Sequence, residues 1–316
     1  MIVWLKRDIF FVIVVLVLFL PFSRSYAFIP DGPKIIELTV EKIVEPVGIT
    51  LSQKRKFYHV QKDRENIEGL EKTEGVNEQE IVENPDDPIK QKEKTNTELS
   101  FTEKIEKLWF SYPDKFRSEA VNGSHDMICV ESKGQFVKII DEFIEAKEKS
   151  PIDLYTDILL FRQPESLTKR LKASGVKINI SSLKRHDDKI YFVIGVPPTQ
   201  EKPSSSLWVE KDTLFPARYT IYKNGLFVDI FYKDWHKVSR TWYPLKITAF
   251  LDGILFFEAT AKNFELEADF AKDLFDVNRL INIFPESVNF ENKSGTIRNE
   301  SDEIEKSITD FKKIYE

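Results

Sequence analysis

Four stretches in the second half of the chain alternate apolar and polar residues with a period of two, and this limits the fold more than any other feature. Ala217, Tyr219 and Ile221 alternate with Arg218 and Thr220. Val228, Ile230 and Tyr232 alternate with Asp229, Phe231 and Lys233. Leu245, Ile247 and Ala249 alternate with Lys246 and Thr248, and Leu255, Phe257, Ala259 and Ala261 alternate with Phe256, Glu258, Thr260 and Lys262. Successive side chains of a strand point to opposite faces of a sheet. Four consecutive antiparallel strands therefore share one apolar face and one mixed face. Turns between the first and second and between the third and fourth of them are readable at Lys223-Asn224-Gly225 and Asp252-Gly253. The expected sheet is a long meander with one dry side.

Other stretches extend it. Ile49–Gln61, Leu99–Phe110, Lys115–Val121, Ile128–Glu131, Gln135–Asp141, Val176–Leu183, Lys189–Val196 and Leu207–Lys211 read as strands. Tyr112-Pro113-Asp114 and Ser132-Lys133-Gly134 read as turns. Helices interrupt the pattern in three places. Pro33–Val44 carries Ile36, Val40 and Ile43 on one face, with Asp31 as its start and Pro46 as its end. Pro151–Phe161 spaces Ile152, Tyr155, Leu159 and Leu160 helically, and a second helix from Pro164 ends at Gly175. These central helices are the only sizeable elements able to cover the dry face.

The chain opens with Lys6 and Arg7, an apolar run Ile9–Leu20, Pro21 and the small-residue pattern Ser25-Tyr26-Ala27. That is the form of a cleavable secretory signal peptide over residues 1–27. The run falls short of the roughly 20 apolar residues that cross a bilayer as a helix. The expected mature chain begins at Phe28, works outside the cytoplasm, and has no cysteine at its start to carry a lipid. Cleavage removes three basic residues and one acid, which moves the net charge from -6 to -8. A mildly acidic surface speaks against nucleic acid as a partner.

Cys129 is the only cysteine, so no intramolecular disulfide forms, and its place between Ile128 and Val130 reads as core. The chain has 25 Phe, 10 Tyr and 5 Trp against 11 Gly. Bulky aromatics suit pleated surfaces, whereas a doubly wound nucleotide-binding fold needs glycine-rich turns. Lys62–Thr95 holds eleven acids, six bases and no aromatic, a composition that cannot offset its ordering entropy. It reads as a mobile acidic insertion between two strands. Residues 286–316 read as a C-terminal extension, with Ile304, Ile308, Phe311 and Ile314 on one face of a helix after Asn299.

No constellation for catalysis stands out. His59, His125, His186 and His236 lie far apart, without partners at metal-ligand spacing. There is no GxSxG, and Ser204-Ser205-Ser206 is a polar linker. The acids read as solvent-facing or as part of the insertion. The expected protein is not an enzyme, and it uses no cofactor or metal.

Leu108-Trp109-Phe110-Ser111-Tyr112-Pro113-Asp114-Lys115-Phe116-Arg117 resembles the periplasmic lipoprotein carriers of the LolA type, in which a strand, a proline turn and Phe-Arg follow one another. The likeness continues through Lys133-Gly134, Leu159-Leu160, Leu207-Trp208-Val209-Glu210, Phe215-Pro216-Ala217 and Tyr243-Pro244-Leu245-Lys246-Ile247, as far as Phe264–Phe270. Pro113, Phe116, Arg117 and Pro244 are its distinctive residues, and the insertion and C-terminal extension depart from the family.

The resemblance implies a mainly β (α+β) fold over residues 28–285, an antiparallel unclosed half-barrel whose concave face is covered by short helices. It implies a non-catalytic carrier of lipid or lipoprotein acyl chains toward the outer membrane, served by inner-membrane export machinery. The alternative is an envelope-stress sensor or scaffold of the same fold, bound to a membrane-bound regulator. On the carrier reading the ligand lies against Tyr219, Ile221, Val228, Ile230, Tyr232, Leu245, Ile247, Leu255 and Phe257, beneath Leu159 and Leu160. Arg117 is then the residue that bonds to the lid.

Overall fold

The computed structural model describes residues 29–43, 48–59, 100–121, 126–199, 201–266 and 269–287. The signal peptide, the acidic insertion and the helix after Asn299 lie outside those residues.

Among the described residues thirteen strands form one antiparallel sheet. In chain order they are β1 (Gly48–His59), β2 (Ser100–Ser111), β3 (Lys115–Val121), β4 (Met127–Ser132), β5 (Gln135–Ile140), β6 (Phe143–Ala146) and β7 (Ser181–His186). Then follow β8 (Lys189–Gly195), β9 (Ser206–Glu210), β10 (Pro216–Lys223), β11 (Leu226–Val238), β12 (Thr241–Leu251) and β13 (Ile254–Leu266). Every strand pairs with its neighbour in sequence, save that β6 and β7 stand at opposite edges and β1 pairs with β13. The first and last strands thus join two meanders, and the sheet stays unclosed, with short helices beside it. This is the fold class that the alternation and the resemblance imply.

Among the described residues four α-helices accompany the sheet: α1 (Gly32–Ile43), α2 (Asp157–Leu160), α3 (Pro164–Ala173) and α4 (Val277–Ile283). The Asp31 carboxylate accepts from the Lys34 backbone N–H at 2.9 Å and starts α1. Gly175, at φ +89°, ends α3, where the Val176 N–H donates to the Leu171 carbonyl.

Two expected elements differ, and two others were not expected. The single helix over Pro151–Phe161 is a 3-10 helix (Pro151–Thr156) followed by α2. The Thr156 hydroxyl donates to the Asp153 carbonyl at 2.9 Å, a local bond that competes with helix continuation. The strand expected from Val176 begins only at Ser181, because Val176 and Ile178 are drawn into the core and buried. Strand β6 and helix α4 had no strong periodic signal. α4 is started by Asp276, whose carboxylate accepts from the Arg279 N–H at 2.9 Å.

The core has two parts. The larger cluster fills the concave face, between α1, α2, α3 and the sheet. The smaller one lies where Phe275, Val277 and Leu280 of the C-terminal segment pack on Val130, Val137, Ile139 and Ile144. That segment runs on beside the edge strand. The Ile144 N–H donates to the Pro285 carbonyl at 2.8 Å, and the Ser287 N–H donates to the Ile144 carbonyl at 3.1 Å. Residues 285–287 therefore still belong to the sheet edge.

Candidate functional site

The alternation brings Tyr219, Ile221, Val228, Ile230, Tyr232, Ile247 and Phe257 together on the concave face, in one buried cluster with Leu159 and Leu160 of α2. Tyr219, Ile221, Val228 and Ile230 are 0 % exposed. The face is therefore closed by protein atoms.

Two expected members lie elsewhere. Between Ala249 and Phe250 the β12–β13 register shifts, so Ala249 pairs with Phe257 and Phe250 with Leu255. The bulge reverses the side on which alternate residues fall. Leu255 is half-buried outside the cluster, and Phe256 packs against the cluster instead. Leu245 is also half-buried outside it. It sits beside the kink where Asp234, at φ +57°, separates the pairs Lys233–Lys246 and Trp235–Pro244.

Sequence reasoning missed a polar group on the same face. Gln53 and Arg55 of β1 and Lys104 and Glu106 of β2 are all buried, and Glu106 is 0 % exposed. The Arg55 Nη1 atom lies 3.0 Å from Glu106 Oε1, and Gln53 Nε2 donates to Glu106 Oε2 at 2.5 Å. The guanidinium stands 4.8 Å from the Phe257 ring centroid and 5.1 Å from that of Tyr155. Burial is the largest influence and works against its charge, but Glu106, joined by Tyr155, Cys129 and Asp153, holds the Arg55 pKa above its ordinary value. The acids are thus not all on solvent faces: Glu106, Glu131 and Asp157 are buried. A signal existed, because Ile49, Leu51, Gln53, Arg55 and Phe57 alternate in phase with Lys104, Glu106, Leu108 and Phe110.

The covering segment, Pro151–Leu160, is tied to the rest of the protein in three places. Arg55 Nη2 donates to the Tyr155 hydroxyl, and the Tyr232 hydroxyl donates to the Tyr155 carbonyl at 2.8 Å. Lys149 Nζ reaches Asp157 Oδ1 at 2.7 Å, Thr156 Oγ1 at 2.8 Å and Glu131 Oε2 at 2.5 Å, while Arg170 holds Glu131 from α3. Burial disfavours the Lys149 charge, yet Asp157 and Glu131 raise its pKa above the usual lysine value. Third, Arg162 Nε donates to the Leu159 carbonyl at 2.9 Å and Nη2 to the Trp242 carbonyl at 3.0 Å. The covering segment is thus held by polar bonds as well as by packing.

Arg117 has another place than expected. Its Nη1 donates to the Leu274 carbonyl at 2.9 Å and its Nε to Glu119 Oε1 at 2.6 Å. β3 turns this side chain away from the concave face, so it clamps the C-terminal segment and not the lid. Cys129 is buried with its thiol pKa pushed up to about 12, chiefly by burial, which leaves it a poor nucleophile. Among the described residues no group of three or more His, Cys, Asp and Glu could hold a metal ion.

No family model matches the sequence, and no curated protein matches it. Solved structures do align over 79 % of the chain. One is an outer membrane lipoprotein-sorting protein domain from Vibrio parahaemolyticus, 10 % identical, with a TM-score of 0.47 over 99 % of that chain. Another is a LolA superfamily protein from Nitrosomonas europaea, 9 % identical, with a TM-score of 0.44 over 99 % of that chain. A third is a DUF1329 family protein from Desulfovibrio piger, 10 % identical, with a TM-score of 0.47 over its whole length.

Proposed function

We propose that the protein is a non-catalytic periplasmic carrier that takes up the acyl chain of a lipid or lipoprotein beneath the Pro151–Leu160 lid and moves it toward the outer membrane. The observation that carries this reading is the polar tie of the lid to an otherwise apolar face, Arg55 to Tyr155 above all. A segment that closes a core for good needs packing alone. Buried ion pairs add little net stability over apolar packing of the same volume. They do allow the segment to lift at lower cost, since Arg55, Lys149 and Glu131 regain water when it opens.

The energetics suit an acyl chain. Once Leu159 and Leu160 leave, the face offers apolar contact along β10, β11 and β12. About fifteen methylenes contribute roughly 12 kcal/mol when buried, against association costs of about 4–15 kcal/mol. A net affinity in the working range of a carrier needs most of the chain enclosed. Export rests on the charged start, the apolar run and Ser25-Tyr26-Ala27.

The test is native mass spectrometry of protein taken from its own envelope, followed by titration with a fluorescent fatty acid. Bound lipid of defined mass, displaced by the probe, is the expected result. Protein that carries no lipid and binds no probe, yet holds a stoichiometric protein partner, would replace the carrier reading with that of a sensor or scaffold.

A further inference from the structure

Trp235 and Trp242 bracket the tip of the β11–β12 hairpin, and the six residues between them include His236, Lys237 and Arg240 but no acid. His236, Lys237, Ser239 and Arg240 are exposed. Phe215, in the turn before β10, stacks on Trp235 with ring centroids 5.0 Å apart and planes at 8°. It also meets Trp242 at 4.9 Å. Lys42, in the last turn of α1, stands over Phe215 and Trp242 at 5.5 and 5.6 Å from their centroids. All three rings remain half-buried, reached by solvent at one end of the half-barrel. The Trp235 indole N–H donates inward to the Pro216 carbonyl at 2.9 Å, so its polar atom is already satisfied.

We infer that this end of the molecule docks on an anionic phospholipid surface. Tryptophan rings favour the boundary between headgroups and acyl chains. Lysine and arginine beside them are drawn to anionic headgroups, each within a Debye length of the surface. The chain as a whole carries a net charge of -6, so a local basic tip orients the molecule as it approaches such a surface. Exposed Glu41 and Asp234 adjoin Lys42 and Trp235 in sequence, exposed Asp212 lies three residues before Phe215, and none falls within the tip.

The position gives the contact a purpose. The Trp242 carbonyl accepts from Arg162, and the Thr241 hydroxyl donates to the Ile43 carbonyl at 3.0 Å. The docking end therefore adjoins one of the three ties of the lid. That purpose rests on the carrier reading, whereas the docking itself does not.

The experiment is flotation of the mature chain with phosphatidylcholine vesicles, with and without phosphatidylglycerol. Wild type should float with the anionic vesicles, shift its tryptophan emission to the blue, and be released by salt. The double reversal Lys237→Glu with Arg240→Glu changes only exposed side chains and should weaken the partition by about tenfold or more. Trp242→Ser should lose the emission shift, with circular dichroism reporting whether the fold is kept. Equal binding to neutral vesicles, an unaffected double reversal, or quenching by a soluble oligosaccharide without flotation would each overturn the docking. A soluble fatty-acid probe separates the two ideas. Probe binding without flotation sinks the docking alone, and flotation without probe binding sinks the carrier alone.

Discussion

The Tyr232 hydroxyl donates to the Tyr155 carbonyl oxygen at 2.8 Å, a bond that joins the middle of β11 to the middle of the lid. Both residues are buried, and burial holds the Tyr232 pKa well above the usual tyrosine value, so the hydroxyl remains a donor. Tyr232→Phe keeps the ring and deletes the bond. It should cost about 1 kcal/mol in urea unfolding and speed the uptake of a fluorescent fatty acid. Lower stability with unchanged uptake would mean that this bond does not limit opening.

Arg55 and Glu106 make the second case. Arg55→Leu leaves the Glu106 carboxylate buried without its cation, which should destabilise the protein by about 3–5 kcal/mol. Adding Glu106→Gln should restore most of that loss, because the charge that had to be matched is gone. A double-mutant cycle from denaturant midpoints measures the coupling. Additive losses would show that the two side chains do not act as a pair.

How far this site was legible can be followed along β12 and β13. The period-two pattern placed Ile247 and Phe257 correctly, since alternation holds wherever strand pairing is regular. It failed at Leu255, one step past the bulge between Ala249 and Phe250, because no residue type there marks the shift. Arg117 was assigned to the lid by likeness alone, while its partner, Leu274, offers only a backbone carbonyl and so leaves no trace in side-chain chemistry. The Arg55–Glu106 pair was visible as polar residues in phase with apolar ones, but each is also what an exposed strand would carry. Only the pairing of β1 with β2 turns both inward. Leu159 and Leu160 were expected to cover the face, and they do lie buried against it in α2, because apolar spacing survives the change from 3-10 to α geometry.

A pH effect follows from Glu258. Its carboxylate accepts from the Tyr58 hydroxyl at 2.7 Å and pairs with Lys246 at 3.0 Å. Burial alone would raise its pKa, but the Tyr58 bond and Lys246 prevail and hold it below the ordinary 4.5. A carboxylate depressed in the folded state stabilises the protein above its unfolded pKa, and that share is lost as pH falls through the folded value. Wild type should therefore melt higher than Glu258→Gln at neutral pH, and the gap should shrink as the solution is acidified below about 4.5. A gap that stays constant with pH would assign the difference to packing.

Arg117 gives the sharpest separation between the two halves of the core. Its guanidinium holds the Leu274 carbonyl, and the segment that follows buries Phe275, Val277 and Leu280 against β4 and β5. Arg117→Ala removes a charge-assisted bond worth about 1.5–3 kcal/mol, while leaving Tyr155, Lys149 and Arg162 at the lid untouched. Amide exchange should then quicken through residues 274–283, where α4 loses its anchor, and remain slow in the lid. The smaller cluster gives the reason for that localisation. Its apolar contacts lie on the side of the sheet away from the lid, so loosening one does not uncover the other. Should the lid peptides also exchange faster, the two faces of the sheet are coupled, and Arg117 governs the lid from a distance after all.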